Sequence, residues 1–481
     1  MDLIRVPVLA LSILLATVSA VALQKQATPA DALIQEAQLL WHRGDKKQAL
    51  EKVRQAIETD GKPYALSRFL NEAIRRGNDE QFAVLVEAGA NVGKDKDEFL
   101  LYLVSQRETP TVGMVELLLA KGARLNQPVK YMSALMHAAF EGHVDIAKLL
   151  LARGEDVNTQ TDEGTALMMA VQRGNPQMVQ LLLDAGARVN AKHRSGNAPL
   201  MMSAGLSIAE LNAKPGGPPP ASSSEIMSLL LARGADPNDV GQSGHTPLMQ
   251  ASSATKVRLL LGRGAQVNAK DEHGATALTC AVDRGNVQVV EALLKSGAEG
   301  LNTPTEDGET MLMRAVREGR TDLAKLLLAS GADTSVVDVL GDTVSVVAYE
   351  KGLTEIEALA RTPYPVDMTP AERNAWLRAA VAKKDELKVK ELLAVGADPN
   401  FKYAIGYRHP DIKTTVLIDA VHAGHSGIVQ LLLARGADPA VEGLIQGSEH
   451  GLKYGTAVDA AALSKNAEIL ASLQQALASR K

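Results

Sequence analysis

Residues 164–190 read GTALMMAVQRGNPQMVQLLLDAGARVN. Leu167, Ala170 and Val171 recur at the spacing of one helical face, which predicts a short helix after Gly164-Thr165. Gly174 then supplies the left-handed residue that ends such a helix. Asn175 is a suitable N-cap, and Pro176 stands at the first helical position, where no backbone donor is needed. Val179, Leu182 and Leu183 form the apolar stripe of a second helix, closed by Gly186. Two helices this short cannot bury their apolar faces alone, so the unit must stack on others like itself.

The chain supplies them. The helix-ending glycine of "LLLxxGA" recurs at Gly89, Gly122, Gly154, Gly186, Gly234, Gly264, Gly297, Gly331, Gly396 and Gly436. The intervals are 33, 32, 32, 48, 30, 33, 34, 65 and 40. The 65 is close to two periods and implies a degraded unit between Gly331 and Gly396; the 48 and 40 are a period plus an insertion. A helix–helix–hairpin unit repeating at about 33 residues resembles the ankyrin family, here over residues 64–481 in about twelve units. The resemblance implies an all-α fold: an ankyrin-repeat solenoid of stacked helix-turn-helix units with β-hairpin loops.

The chain departs from that family at one position. The family pattern is T-P-L-H, and its His commonly ties the turn to the helix. Met136, Met168, Met201, Met249 and Met313 occupy that place here. A thioether is expected not to make those bonds, leaving these turns to packing.

Length alone, 481 residues, would suggest about three domains, but a solenoid grows along one axis without enlarging its core. Aromatics are 3% of the chain, so Leu, Ala, Val and Met must carry the burial. A net charge of −5 argues against a nucleic-acid partner, which would require a basic footprint. Cys280 is the single cysteine; it aligns with Met169 and reads as a small core residue.

Residues 1–22, MDLIRVPVLALSILLATVSAVA, carry Arg5, an apolar run from Val6 to Val18 and small residues around Ala20 and Ala22. That is the layout of a secretory signal peptide. The rival reading is an uncleaved inner-membrane anchor. Residues 31–63 resemble one tetratricopeptide-like helical hairpin, with Leu33, Ala37 and Leu40 on one face and Ala49, Val53 and Ala56 facing back. One such unit cannot form a peptide groove, and an N-terminal cap on the repeat stack is expected. Trp41 and Phe69 stand near that joint.

Ankyrin repeats are expected over 64–360. The fifth unit is interrupted at 203–225, where Pro215-Gly216-Gly217-Pro218-Pro219-Pro220 excludes helix and strand and reads as a surface loop. The unit at 244–268 is short by three residues at its helix turn. The unit at 341–360 runs into ARTPYPVDMTPAE, whose prolines are expected to break its helices and leave an irregular Pro-rich joint over 361–373. Thr369-Pro370-Ala371-Glu372 is a capping box that restarts the array, and C-terminal repeats with extended hairpins follow over 374–481.

The step from a helix-ending glycine to the next unit is usually 10 residues, but it is 17 from Gly396 to Lys413 and 19 from Gly436 to Gly455. Two neighbouring units therefore carry long fingers, NFKYAIGYRHPDIK (400–413) and VEGLIQGSEHGLKYG (441–455). Adjacent units should bring them side by side. Aromatics and arginine dominate interface energies, and loops on a rigid scaffold tend to carry function. The candidate protein-binding residues are Phe401, Lys402, Tyr403, Tyr407, Arg408, His409, Lys453 and Tyr454. The competing reading has the fingers merely packing on each other.

Other chemistry has little support. His422 and His425 lack a third ligand at zinc spacing, and no nucleophile elbow, phosphate loop, H-E-x-x-H or cysteine pair occurs. No catalytic residues, cofactor or metal are assigned. The sequence therefore reads as a monomeric, non-enzymatic, periplasmic or secreted scaffold. It would grip a protein partner through a concave repeat face and the fingers, and would meet a membrane only if residues 1–22 are retained. A small-molecule or enzymatic site at the aromatic and basic fingers is the alternative.

Overall fold

The computed structural model describes residues 28–60, 64–90, 103, 110–126, 132–205, 222–360, 368–405, 412–448 and 451–479. Residues 1–22 and the proline-rich stretch of the fifth unit lie outside them. The chain divides into two units, residues 1–236 and 237–481.

The first unit opens on two antiparallel helices, α1 (Pro29–His42) and α2 (Lys46–Thr59). Their shared face is Ala30, Ile34 and Ala37 against Ala49, Val53 and Ala56. Leu33 and Leu40, expected there, are only half-buried, and of the predicted row Ala37 alone is buried. On the outer side of the pair, Glu36 is paired with Lys52 at 2.9 Å. α1 packs on α3 (Tyr64–Arg75), with Trp41 edge-on to Phe69 at 6.5 Å between centroids. Asp31 Oδ1 accepts the Ala65 N–H at 2.8 Å, so the hairpin is held to the start of α3 by a polar bond as well as apolar area.

Helix pairs follow: α4 (Asp79–Glu87), α5 (Val112–Ala120), α6 (Ala134–Glu141), α7 (Val144–Ala152), α8 (Ala166–Arg173), α9 (Pro176–Asp184), α10 (Pro199–Ala204) and α11 (Ser222–Ala232). First helices stack on first helices, α6 on α8 on α10, and second helices likewise, α5, α7, α9, α11. Each element of the 164–190 unit takes its expected role. Thr165 caps α8, Gly174 ends it at φ +78°, and Asn175 Oδ1 accepts the Met178 N–H at 3.0 Å. Leu167, Ala170, Val171, Val179, Leu182 and Leu183 are all buried. All ten of the recurring glycines have φ between +82° and +100°, a backbone state in which a Cβ is strained.

The second unit contains α12 (Pro247–Gln250), α13 (Ala254–Leu261), α14 (Ala277–Arg284), α15 (Val287–Lys295), α16 (Met311–Arg317) and α17 (Thr321–Ala329). It continues through α18 (Val344–Lys351), α19 (Thr354–Leu359), α20 (Pro370–Ala382) and α21 (Glu386–Ala394). The hairpin β1 (Lys402–Ala404) with β2 (Lys413–Thr415) leads to α22 (Val416–His422) and α23 (Ser426–Ala434). The hairpin β3 (Gly443–Ser448) with β4 (Gly451–Gly455) leads to α24 (Ala457–Ser464) and α25 (Ala467–Ala478). The first helices again form one row from α12 to α24.

The three-residue deficit near 250 falls on α12, which keeps four residues. The degraded unit is present: α18 and α19 both form, and the prolines shorten α19 to six residues instead of abolishing the pair. The capping box is formed, Thr369 N donating to Glu372 Oε2 at 2.7 Å, so α20 begins at Pro370, inside the segment expected to be irregular.

An asparagine ladder joins the hairpins. Four residues after the glycine, Asn158 donates to Gly186 O at 3.1 Å and accepts from Arg188 N at 2.8 Å. Asn126, Asn190, Asn238, Asn268, Asn302 and Asn400 each make the same pair of bonds to the next hairpin.

The methionine expectation needs correction. Ser133 N and Thr246 N donate to the sulfurs of Met136 and Met249, each at 3.4 Å. A thioether is a weak acceptor, and here it takes the place that Thr279 Oγ1 (2.7 Å) and Asp459 Oδ2 (2.8 Å) hold in other repeats.

Candidate functional site

The long fingers are hairpins of neighbouring repeats. In the first, Lys402 pairs with Thr415, Tyr403 with Thr414 and Ala404 with Lys413. In the second, Leu444 lies opposite Tyr454 and Gln446 opposite Lys453, with a bulge at Ile445. They adjoin through β2 and β3: Thr414 Oγ1 donates to Leu444 O at 3.4 Å. A Cβ on Gly443 would stand 2.9 Å from Thr414 Cα, so only glycine permits that approach. Side-by-side packing is therefore real, and it serves the stability of this end of the stack as well as any surface it builds.

Burial along the strands decides which side chains are available. Lys402 and Lys413 point to solvent, as do Lys453 and Tyr454, the latter 50% exposed. Tyr403 is 9% exposed, so it belongs to the core and is withdrawn from the expected surface set. Phe401 is half-buried against the same core, its ring 5.3 Å from that of Tyr403. Tyr407, Arg408 and His409 lie outside the described residues.

What Tyr403 packs against was not legible from spacing. Its hydroxyl donates to Asp419 Oδ2, and the Arg378 guanidinium lies 5.6 Å from its ring centroid. Arg378 also pairs with Asp342 at 2.5 Å and Glu350 at 2.9 Å. Asp342 in turn donates its backbone N–H to Asp338 Oδ1 at 2.9 Å. Asp338 takes Arg317 at 3.1 Å, Arg317 takes Glu309 at 3.0 Å, and Arg314 bridges Glu309 and Asp283. A chain of ionic and polar contacts thus runs from α14 to α22 along the row of first helices and hairpins.

Burial shapes its electrostatics. Desolvation raises the Asp342 carboxyl to about 6 against the pull of Arg378, with Asp338 and Glu350 adding to the rise. Desolvation also raises Asp419 to about 6, again against Arg378. Burial lowers the Arg378 guanidinium, but Asp342 and Glu350 more than reverse that, and it stays charged.

His425 caps α23 without a side-chain bond, and its Nδ1 is 3.5 Å from Glu386 Oε1; His422 is exposed at the end of α22. Among the described residues, no group of three or more His, Cys, Asp or Glu could hold a metal ion, and no helix is long and apolar enough to cross a membrane. Burial pushes the Cys280 thiol up, away from the thiolate.

Known families match much of the chain. "Ankyrin repeats (3 copies)" covers residues 70–161, 221–304 and 256–338. "Ankyrin repeats (many copies)" covers 153–202, and "ankyrin repeat" covers 413–443, which includes β2, α22 and the start of the second finger. Among curated proteins, none matches the chain.

Proposed function

The chain belongs to the ankyrin-repeat family, and from that premise we propose that it is an exported scaffold that holds one protein partner, chiefly through the two long fingers. Ankyrin repeats are generally protein-interaction modules, and the family is typically non-enzymatic. The observation that carries the proposal is the paired fingers, which present Lys402, Lys413, Lys453 and Tyr454 from two neighbouring repeats on a fixed base. Tyrosine is among the residues that supply interface energy, and the lysines around Tyr454 add a charge pattern that favours an acidic partner surface. Export rests on the signal-peptide layout of residues 1–22.

The test is capture of a partner from the exported fraction. One bait runs from residue 23; the other carries Lys402→Ala, Lys453→Ala and Tyr454→Ala. One dominant protein on the first bait, lost on the second, supports the reading. The same protein on both baits removes the fingers from the site, and no protein on either removes the scaffold reading. Cell fractionation with sequencing of the mature N-terminus decides between a cleaved segment and a retained membrane anchor.

A further inference from the structure

The repeat at 341–360 lacks several of the ties that join most of the other described repeats. Its predecessor carries Ser335 where most other repeats carry the ladder asparagine, and the Ser335 hydroxyl is spent on Asp333 Oδ1 at 2.7 Å. No helix-ending glycine closes α19. Thr165, Thr246, Thr276, Thr310, Thr415 and Thr456 all cap their helices, yet Thr343 makes no such bond. The described side of α19 meets α21 through Glu357 and Lys388 at 3.5 Å.

Charge replaces the missing ties. Arg378 of α20 faces Asp342 and Glu350 of the preceding repeat and sits over Tyr403, whose hydroxyl binds Asp419 of the following one. Two carboxylates therefore pair with one guanidinium, and a third, Asp419, lies within reach of its charge. The other charged groups nearby are committed elsewhere. Asp338 takes Arg317, Asp459 of α24 binds Thr456, Asp385 accepts from Tyr349, and Lys388 lies over the Tyr349 and Trp376 rings. Among the described residues, Asp342 Oδ1, Thr343 Oγ1 and Arg378 Nε have no hydrogen-bond partner, although all are buried. The site holds more negative charge than it can neutralise, and an unanswered carboxylate oxygen is costly in such a place.

We propose that the 341–360 repeat is a proton-operated joint: protonation of Asp342 and Asp419 leaves Arg378 balanced by Glu350 and tightens the stack, and loss of those protons loosens it. The elevated carboxyl pKa values, both about 6, agree with this geometry. Acid then stiffens the base of the fingers, and neutral pH frees it.

Hydrogen exchange of the full chain, corrected for intrinsic rates, tests this without any partner. Between about pH 7.5 and about pH 5, protection of amides in 354–359 and 370–382 should rise roughly tenfold or more, while 277–295 stays level. Asp342→Asn with Asp419→Asn should abolish the rise and leave protection high at both pH values. Glu350→Gln, which removes the remaining carboxylate, should move the rise to lower pH. A wild-type chain with no rise, a rise spread evenly along the chain, or a rise that survives the double substitution would each overturn the proposal. Circular dichroism of the variants separates a lost fold from a lost switch.

Discussion

Arg378 Nη2 lies 2.5 Å from Asp342 Oδ2, and the two residues are 36 positions apart, in neighbouring repeats. Arg378 is largely buried and Asp342 completely so. Their contact spans a repeat boundary where Ser335, not asparagine, stands at the ladder position.

Arg378→Ala should therefore destabilise the second unit by about 3–5 kcal/mol, because Asp342, Glu350 and Asp419 lose their common counter-charge. Urea unfolding at neutral pH measures this. Adding Asp342→Asn to Arg378→Ala should recover part of the loss, since one uncompensated charge goes with it. A double variant no more stable than the single would mean that Arg378 acts mainly by packing over Tyr403.

The ladder predicts a contrast between two small substitutions. Asn158→Ala removes the bonds to Gly186 O and from Arg188 N and should cost roughly 1–2 kcal/mol. Ser335→Asn restores the missing residue type but should add little, because the following repeat lacks the glycine whose carbonyl the ladder uses. A clear gain from Ser335→Asn in thermal denaturation would contradict the account of the joint.

These cases mark what the sequence could tell. The helix-ending glycines were legible because a left-handed backbone position restricts residue choice, and that restriction repeats along the chain. The finger lengths were legible by counting. Tyr403 was misjudged because a loop of unknown register does not reveal which residues alternate inward, and one step separates Lys402 outside from Tyr403 inside. Arg378 was missed because its partners lie in other repeats, and no local spacing links 342, 378 and 419. The methionine sulfurs were misread by ruling out an acceptor that is only weak.

Acid should act in opposite senses on two parts of the chain. Burial lowers His137, in the first unit, from 6.5 to about 4. Its stabilising contribution is complete above about pH 6.5 and is lost as pH falls toward 4. Asp342 is raised to about 6, so its contribution is complete below the ordinary value of 3.8 and is lost as pH rises through about 6. Burial also raises Glu155, which opposes His137 locally. His137→Gln should remove the acid sensitivity of residues 134–152 in segment-resolved hydrogen exchange while the response of 354–359 and 370–382 remains. If both regions soften together in acid, the assigned groups are wrong.

Stability and binding should separate at the fingers. Tyr403→Phe keeps the ring over which Arg378 sits but takes the hydroxyl from Asp419, and should cost about 1–2 kcal/mol in urea unfolding. Lys402→Ala, Lys453→Ala and Tyr454→Ala trim exposed side chains and should each change stability by less than about 0.5 kcal/mol. If the fingers hold a partner, those three substitutions lower its capture with the fold intact. Tyr403→Phe should lower capture only to the extent that it unfolds the chain. Equal capture by the stable triple variant and the wild type would mean that the extra length of the hairpins serves packing alone. The exposed face of Lys402, Lys453 and Tyr454 would then need no ligand to explain it.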